Sequence, residues 1–138
     1  MKVEVAYVGS FTDTAKAKEL TLAQYSNGAD VVFTSAGPAS AGSVEAARDA
    51  KKYVIGVDSD QALAYEGKEE QKYIISSALK RVDNSLALTM ESFLNDKLEF
   101  NSHDVLGVKD GVIELAENDI YTSTVKEEIR NKVSETTE

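Results

Sequence analysis

Cysteine is absent from the 138 residues, so neither a disulfide framework nor a thiolate metal site can form. Tryptophan is absent, proline occurs once, and His103 is the single histidine. Any site built on two imidazoles is therefore excluded. No apolar run approaches the ~20 residues needed to cross a bilayer. The opening Met1-Lys2-Val3-Glu4-Val5 is unlike a signal peptide, because acid arrives at once. Basic side chains are few: Lys+Arg 15 stand against Asp+Glu 24, for a formal charge of −9. With no basic patch in view, such a chain repels phosphate backbones and anionic lipid, which argues against a nucleic-acid partner. What remains is the balance of one globular domain, 42% apolar and 28% charged.

The order of elements follows from periodicity. Val3, Val5 and Tyr7 alternate with Glu4 and Ala6 and run into Gly9, which predicts a strand over residues 3–8. A helix is expected over 13–27, capped by Thr12 or Asp13 and stopped at Asn27-Gly28. The apolar run 30–35 reads as a strand buried on both faces, with Phe33 in the core. A small-residue loop, 36–42, leads to a second helix over 43–52 and a strand over 53–57. Residues 61–71 are ambiguous. A strand over 73–76 precedes a helix over 82–94, whose buried face is expected at Leu86, Met90, Phe93 and Leu94. Residues 105–108 and 112–115 flank Lys109-Asp110-Gly111 as a hairpin, and a polar helix over 122–133 closes the chain. The expected domain is 1–133, with 134–138 a frayed tail.

Alternating strand and helix argue for an α/β three-layer sandwich with a mainly parallel sheet. Ligands of such folds sit where strands end and helices begin. That rule selects Gly9-Ser10-Phe11-Thr12-Asp13, Ser35-Ala36-Gly37-Pro38, Asp58-Ser59-Asp60 and Ser76-Ser77. In the first loop Phe11 can stack on a flat ring, or simply pack locally. In the second, small residues such as Ser35 and Gly37 admit a ligand close to the backbone, or merely make a tight turn. It is neither a P-loop nor a dinucleotide fingerprint. Asp58 ends a buried strand, where a carboxylate is costly unless paired or met by a ligand. Its two oxygens match vicinal hydroxyls such as those of a ribose; the alternative is a turn or capping residue. Lys109 can reach a ligand oxygen or Asp58, or be an ordinary turn lysine. No serine has an identifiable base and orienting acid, no carboxylate cluster has metal spacing, and no cofactor is indicated. The expectation is a protein that binds and does no chemistry.

The segments 7–16 (Tyr-Val-Gly-Ser-Phe-Thr-Asp-Thr-Ala-Lys), 27–33 (Asn-Gly-Ala-Asp-Val-Val-Phe) and 53–61 (Tyr-Val-Ile-Gly-Val-Asp-Ser-Asp-Gln) together resemble the basic membrane protein family. These are bacterial substrate-binding lipoproteins for ABC transporters, whose best understood branch takes purine nucleosides. Leu79-Lys80-Arg81-Val82-Asp83 and Leu106-Gly107-Val108-Lys109-Asp110-Gly111 are similar to two later landmarks, in the right order. The resemblance covers residues 3–115 and only the second half of a two-lobed protein. It implies one lobe of a type I periplasmic-binding-protein-like fold, with an N-terminal lobe and an ABC permease as partners. A lobe cut from a longer chain is favoured over a natural half-length relative. The full-length protein would be extracytoplasmic and lipid-anchored. Carried over by motif, the base-stacking aromatic is Phe11, the sugar is surrounded by Ser35 to Gly37, Asp58 takes the ribose hydroxyls and Lys109 approaches the ribose. Pro38-Ala39-Ser40 departs from the extra glycines common in that loop. Without its other lobe, the chain is expected to bind weakly and to self-associate as a homo-oligomer through the exposed face.

Two other functions compete. A receiver-type regulatory domain would use Asp58 as phospho-acceptor, although Gly9-Ser10-Phe11 stands where an acidic pair should hold Mg²⁺. A flavodoxin-like carrier would place a flavin phosphate at Ser10, Thr12 and Thr14. A protein–protein module is the fallback.

Overall fold

The computed structural model describes residues 2–137. Helix α1 spans Thr14–Ser26 and starts where Asp13 Oδ1 accepts the Lys16 amide at 2.9 Å. It stops at Asn27, followed by Gly28 with φ +99°. Strand β1 is short, Val31–Phe33. A 3₁₀ turn over Gly37–Ala39 feeds α2, Ser40–Ala50. Strand β2 (Tyr53–Asp58) leads to a single-turn helix α3 (Gln61–Ala64), which Asp60 caps at the Ala62 amide. Strand β3 is Ile74–Lys80, α4 is Val82–Leu94 and β4 is Ile113–Leu115. The predicted last helix is two, α5 (Asp119–Thr124) and α6 (Glu127–Thr137), broken where Val125 turns extended. α6 continues across residue 134, where fraying was expected, and Glu138 lies outside the described residues.

The sheet order is β1-β2-β3-β4, with the first three strands parallel and β4 antiparallel to β3. A mainly parallel α/β sheet is thus as the periodicity implies. One face is well covered. Val32, Val54 and Ile74 lie side by side in register and are buried under α1 and α2, together with Tyr25, Val44, Ala46 and Ala47. The two helices touch at Gly42, where an added Cβ would lie 2.0 Å from the Thr14 carbonyl oxygen. Lys18 clasps them by pairing with both Asp49 (2.8 Å) and Glu45 (3.1 Å). The other face is covered at β3, where α5 packs, Tyr121 is buried and Ser76 Oγ donates to the Ala116 carbonyl at 2.7 Å. At β1 that face stays open.

Four expectations are corrected. Residues 3–8 form no strand, because they pair with no edge of the sheet. The run through β1 is not buried on both faces. Val31 and Phe33 are exposed, since β1 is an edge strand and the face they share is uncovered. Helix α4 has the predicted limits but buries no residue; Leu86, Met90, Phe93 and Leu94 all face solvent. Each of these four side chains is more than half exposed. The hairpin reduces to β4 alone, because residues 107–111 wind into a 3₁₀ turn and β4 pairs with β3 instead. No helix among the described residues is long and apolar enough to cross a membrane.

Candidate functional site

Three parallel strands carry their C-terminal ends to one edge of the sheet. β1 delivers Thr34 and the loop through Gly37, β2 delivers Asp58, and β3 delivers Lys80. A cavity of about 250 Å³ opens there, lined by Thr34, Gly37, Ser40, Asp58, Gln61 and Tyr65 among others. That is slightly below the roughly 300–1,000 Å³ of ordinary small-molecule pockets.

The walls are ordered by local bonds. Thr34 Oγ1 and Ser40 Oγ lie 3.0 Å apart, and Ser40 Oγ also accepts the Ala36 amide at 3.2 Å. Behind them Thr21 and Ser43 share a buried hydroxyl pair at 2.8 Å. This chain of hydroxyls pins the loop between β1 and α2. Gly37 has φ +56°, and a Cβ there would meet the Phe11 ring at 3.3 Å. The first loop is tied to the second by the Ala39 amide, which donates to the Phe11 carbonyl at 2.8 Å. Phe11 therefore stands over Gly37 with 72% of its surface exposed, an arrangement available to a flat ligand.

Asp58 adopts φ +70°, the left-handed region that L-residues enter at a cost. The turn aims its exposed carboxylate along the sheet edge, where Lys80 Nζ meets it at 3.0 Å. Behind it, the close approach of α3 demands a glycine. A Cβ on Gly56 would lie 2.4 Å from Gln61 Cγ and 2.9 Å from Ser77 Oγ. Gln61 is locked by three contacts. Its amide N–H donates to Ser77 Oγ (3.0 Å), and Nε2 donates to the Val57 carbonyl (3.2 Å) and to Ser59 Oγ (3.5 Å). Partial burial pushes the Tyr65 phenol up, helped by the negative charge of Glu70 and Glu45. Next to Lys80, Arg81 is fully engaged with Asp83 (2.9 Å) and Glu114 (2.7 Å). Its hydrogen bonds hold the Asp83 carboxyl down at about 2. With Arg81 committed, Lys80 is the cation that faces Asp58.

Of the residues singled out in the sequence, Gly37 and Asp58 line the same cavity and Phe11 rests on Gly37. Ser35 is exposed on the side of the loop turned toward residues 2–11. Lys109 sits in the 3₁₀ turn preceding β4, which pairs with the end of β3, so it shares this edge but does not line the cavity. The ion pair offered to Asp58 comes from Lys80. Gln61 and Tyr65 were missed because residues 61–71 show no clear periodicity. The available signal was Asp60, a capping residue that announces a helix and hence an inward-facing first turn.

Comparison with known proteins identifies the family. A family profile described as "ABC transporter substrate-binding protein PnrA-like" (Bmp) matches residues 1–138. Basic membrane protein B of Borreliella afzelii is 36% identical, over 91% of this chain and 37% of its own length. The ABC transporter nucleoside-binding protein BmpA of Lactococcus lactis subsp. cremoris is 30% identical, over 94% of this chain and 40% of its own. A transcriptional activator of the comK gene from Bacillus halodurans superposes with a TM-score of 0.77 at 30% identity, covering 96% of this chain and 44% of that one. A solute-binding protein of an ABC transporter system from Aeropyrum pernix gives 0.66 at 25% identity, over 97% and 36%. The chain thus spans less than half the length of these relatives. It belongs to the Bmp family of ABC transporter substrate-binding proteins, a family of binding proteins and not of enzymes.

Proposed function

We propose that residues 1–138 form one lobe of a purine-nucleoside receptor and supply one wall of its ligand site. The observation that carries this reading is the meeting of Phe11, Gly37 and Asp58 at a single sheet edge. Phe11 stacks on the base, the small residues from Ser35 to Gly37 let the sugar approach the backbone, and Asp58 accepts both ribose hydroxyls. Lys80 pairs with the carboxylate and orients it, and Lys109 reaches the ribose only when the second lobe closes. The modest cavity suits a lobe that holds half a ligand. The apolar stripe of α4 is the surface expected to pack on the other lobe. In that setting the protein is extracytoplasmic, lipid-anchored and delivers its solute to an ABC permease. The family match removes the grounds for the receiver and electron-carrier alternatives.

The test is calorimetry on a two-lobed protein containing this chain. Asp58→Asn and a 2′-deoxynucleoside should each weaken binding about tenfold or more, because each removes a charge-assisted hydrogen bond. Combining the two should cost little beyond either alone. Full additivity would mean that Asp58 does not touch the ribose.

A further inference from the structure

Asp58 offers its carboxylate from an uncommon backbone shape. The Ser59 N–H donates to the Val57 carbonyl at 2.9 Å across Asp58, whose φ is +70°. A bond that skips one residue around a positive φ is a γ-turn, a rare and strained form for a residue with a side chain. Such conformations persist only where the surroundings over-determine them. The Lys80 contact is exposed at both ends and grips the tip of the carboxylate, not the backbone. The turn itself needs another hold.

Gln61 reaches both of its flanks. Nε2 donates to the Val57 carbonyl at 3.2 Å and to Ser59 Oγ at 3.5 Å. Val57 and Ser59 stand on either side of Asp58, so one side-chain amide bridges the turn. The orientation of that amide is determined, because a carbonyl can only accept and therefore selects the nitrogen over the oxygen. Gln61 is anchored in its own right. Its backbone N–H donates at 3.0 Å to Oγ of Ser77, a residue with no exposed surface. Asp60 caps the helix that begins at Gln61, accepting the Ala62 amide at 3.0 Å. Gly56 leaves room for the glutamine stem, since a Cβ there would lie 2.4 Å from Gln61 Cγ. The stem thus lies against β2 two residues before the turn that its amide holds.

We propose that Gln61 is a positioning residue for the sugar. It acts through Asp58 and not by touching the ribose. By holding the left-handed turn that aims the carboxylate, it sets both the affinity of the site and its preference for a 2′-hydroxyl. The inference rests on the reading of Asp58 as the ribose acceptor, and adds the residue through which buried Ser77 steadies that acceptor.

The test is calorimetry with inosine and 2′-deoxyinosine on a two-lobed protein containing this chain. Gln61→Met keeps a stem over Gly56 and removes the donor. It should weaken inosine about fivefold, the order of one net hydrogen bond, and 2′-deoxyinosine by less than about twofold. In an Asp58→Asn background the same change should alter inosine binding by less than about twofold. Gln61→Ala keeps the backbone bond to Ser77 and should show the same loss of selectivity, which guards against a packing fault peculiar to methionine. Equal weakening of the two ligands would overturn the proposal, because a general loosening of the lobe does that. Unchanged inosine binding, or effects that add fully in the double variant, would overturn it too. A second readout needs no nucleoside. In the ligand-free protein, NMR should show the Ser59 amide exchanging about fivefold faster in Gln61→Met, as the turn opens more often. Unchanged exchange would mean that the turn stands without the glutamine. If Asp58→Asn leaves inosine binding intact, the ribose reading fails by itself, and the Ser59 amide still decides whether Gln61 holds the turn.

Discussion

At the scale of single residues, the proposed ribose contact at Asp58 coincides with backbone strain. Its backbone sits at φ +70°, and its exposed ion pair with Lys80 is of the kind that contributes little stability. Asp58→Gly should therefore stabilise the chain by up to about 1 kcal/mol in urea unfolding, by relieving a left-handed conformation. It should also abolish recognition of the ribose. A destabilised variant would show that the carboxylate is held for structural reasons. Gly56 and Gly37 make the complementary point. Each is a glycine because Gln61 or Phe11 comes too close for a side chain, which ties loop chemistry to site geometry.

Among elements, the contact of α1 with β2 is pinned by Tyr25, whose hydroxyl donates to the Tyr53 carbonyl at 2.7 Å. Burial pushes its phenol well above the ordinary tyrosine value. A group whose folded pKa is raised contributes stability that is complete below the unfolded value, near pH 10, and declines as pH rises above it. Unfolding free energy should therefore drop on the alkaline side of about pH 10. Tyr25→Phe should cost about 1 kcal/mol at neutral pH by orphaning the carbonyl, yet flatten that alkaline decline. An unchanged alkaline limb in the variant would assign the effect elsewhere. Helix α4 shows the opposite economy, because its apolar stripe contains no buried residue. Leu86→Glu should change the melting temperature of this chain by little, within the ordinary ±0.5 kcal/mol of a surface substitution. In a two-lobed protein the same change should be clearly destabilising. Equal effects in both would mean that α4 meets no second lobe.

For the molecule as a whole, an edge-of-sheet cavity and an exposed apolar helix stripe both lie on surfaces that the described residues leave open. The chain by itself should give no micromolar binding of inosine in calorimetry, because it offers only part of the contacts. Tight binding would mean the site is complete within one copy or built by a dimer. Helices α1, α2 and α4 and strand β2 were legible in the residues, through apolar periodicity, Asp13, Asn27-Gly28 and the turn at Asp58. These signals are local, and the chain obeys them whatever surrounds it. Pairing is not local. Val3, Val5 and Tyr7 alternate as a strand should, and Leu86, Met90 and Phe93 are spaced as a buried stripe should be, but neither set finds a partner here. Periodicity states which face of an element is apolar; only the tertiary arrangement decides whether another surface lies within reach to cover it, because burial and ladder bonds need two partners and a sequence segment specifies one.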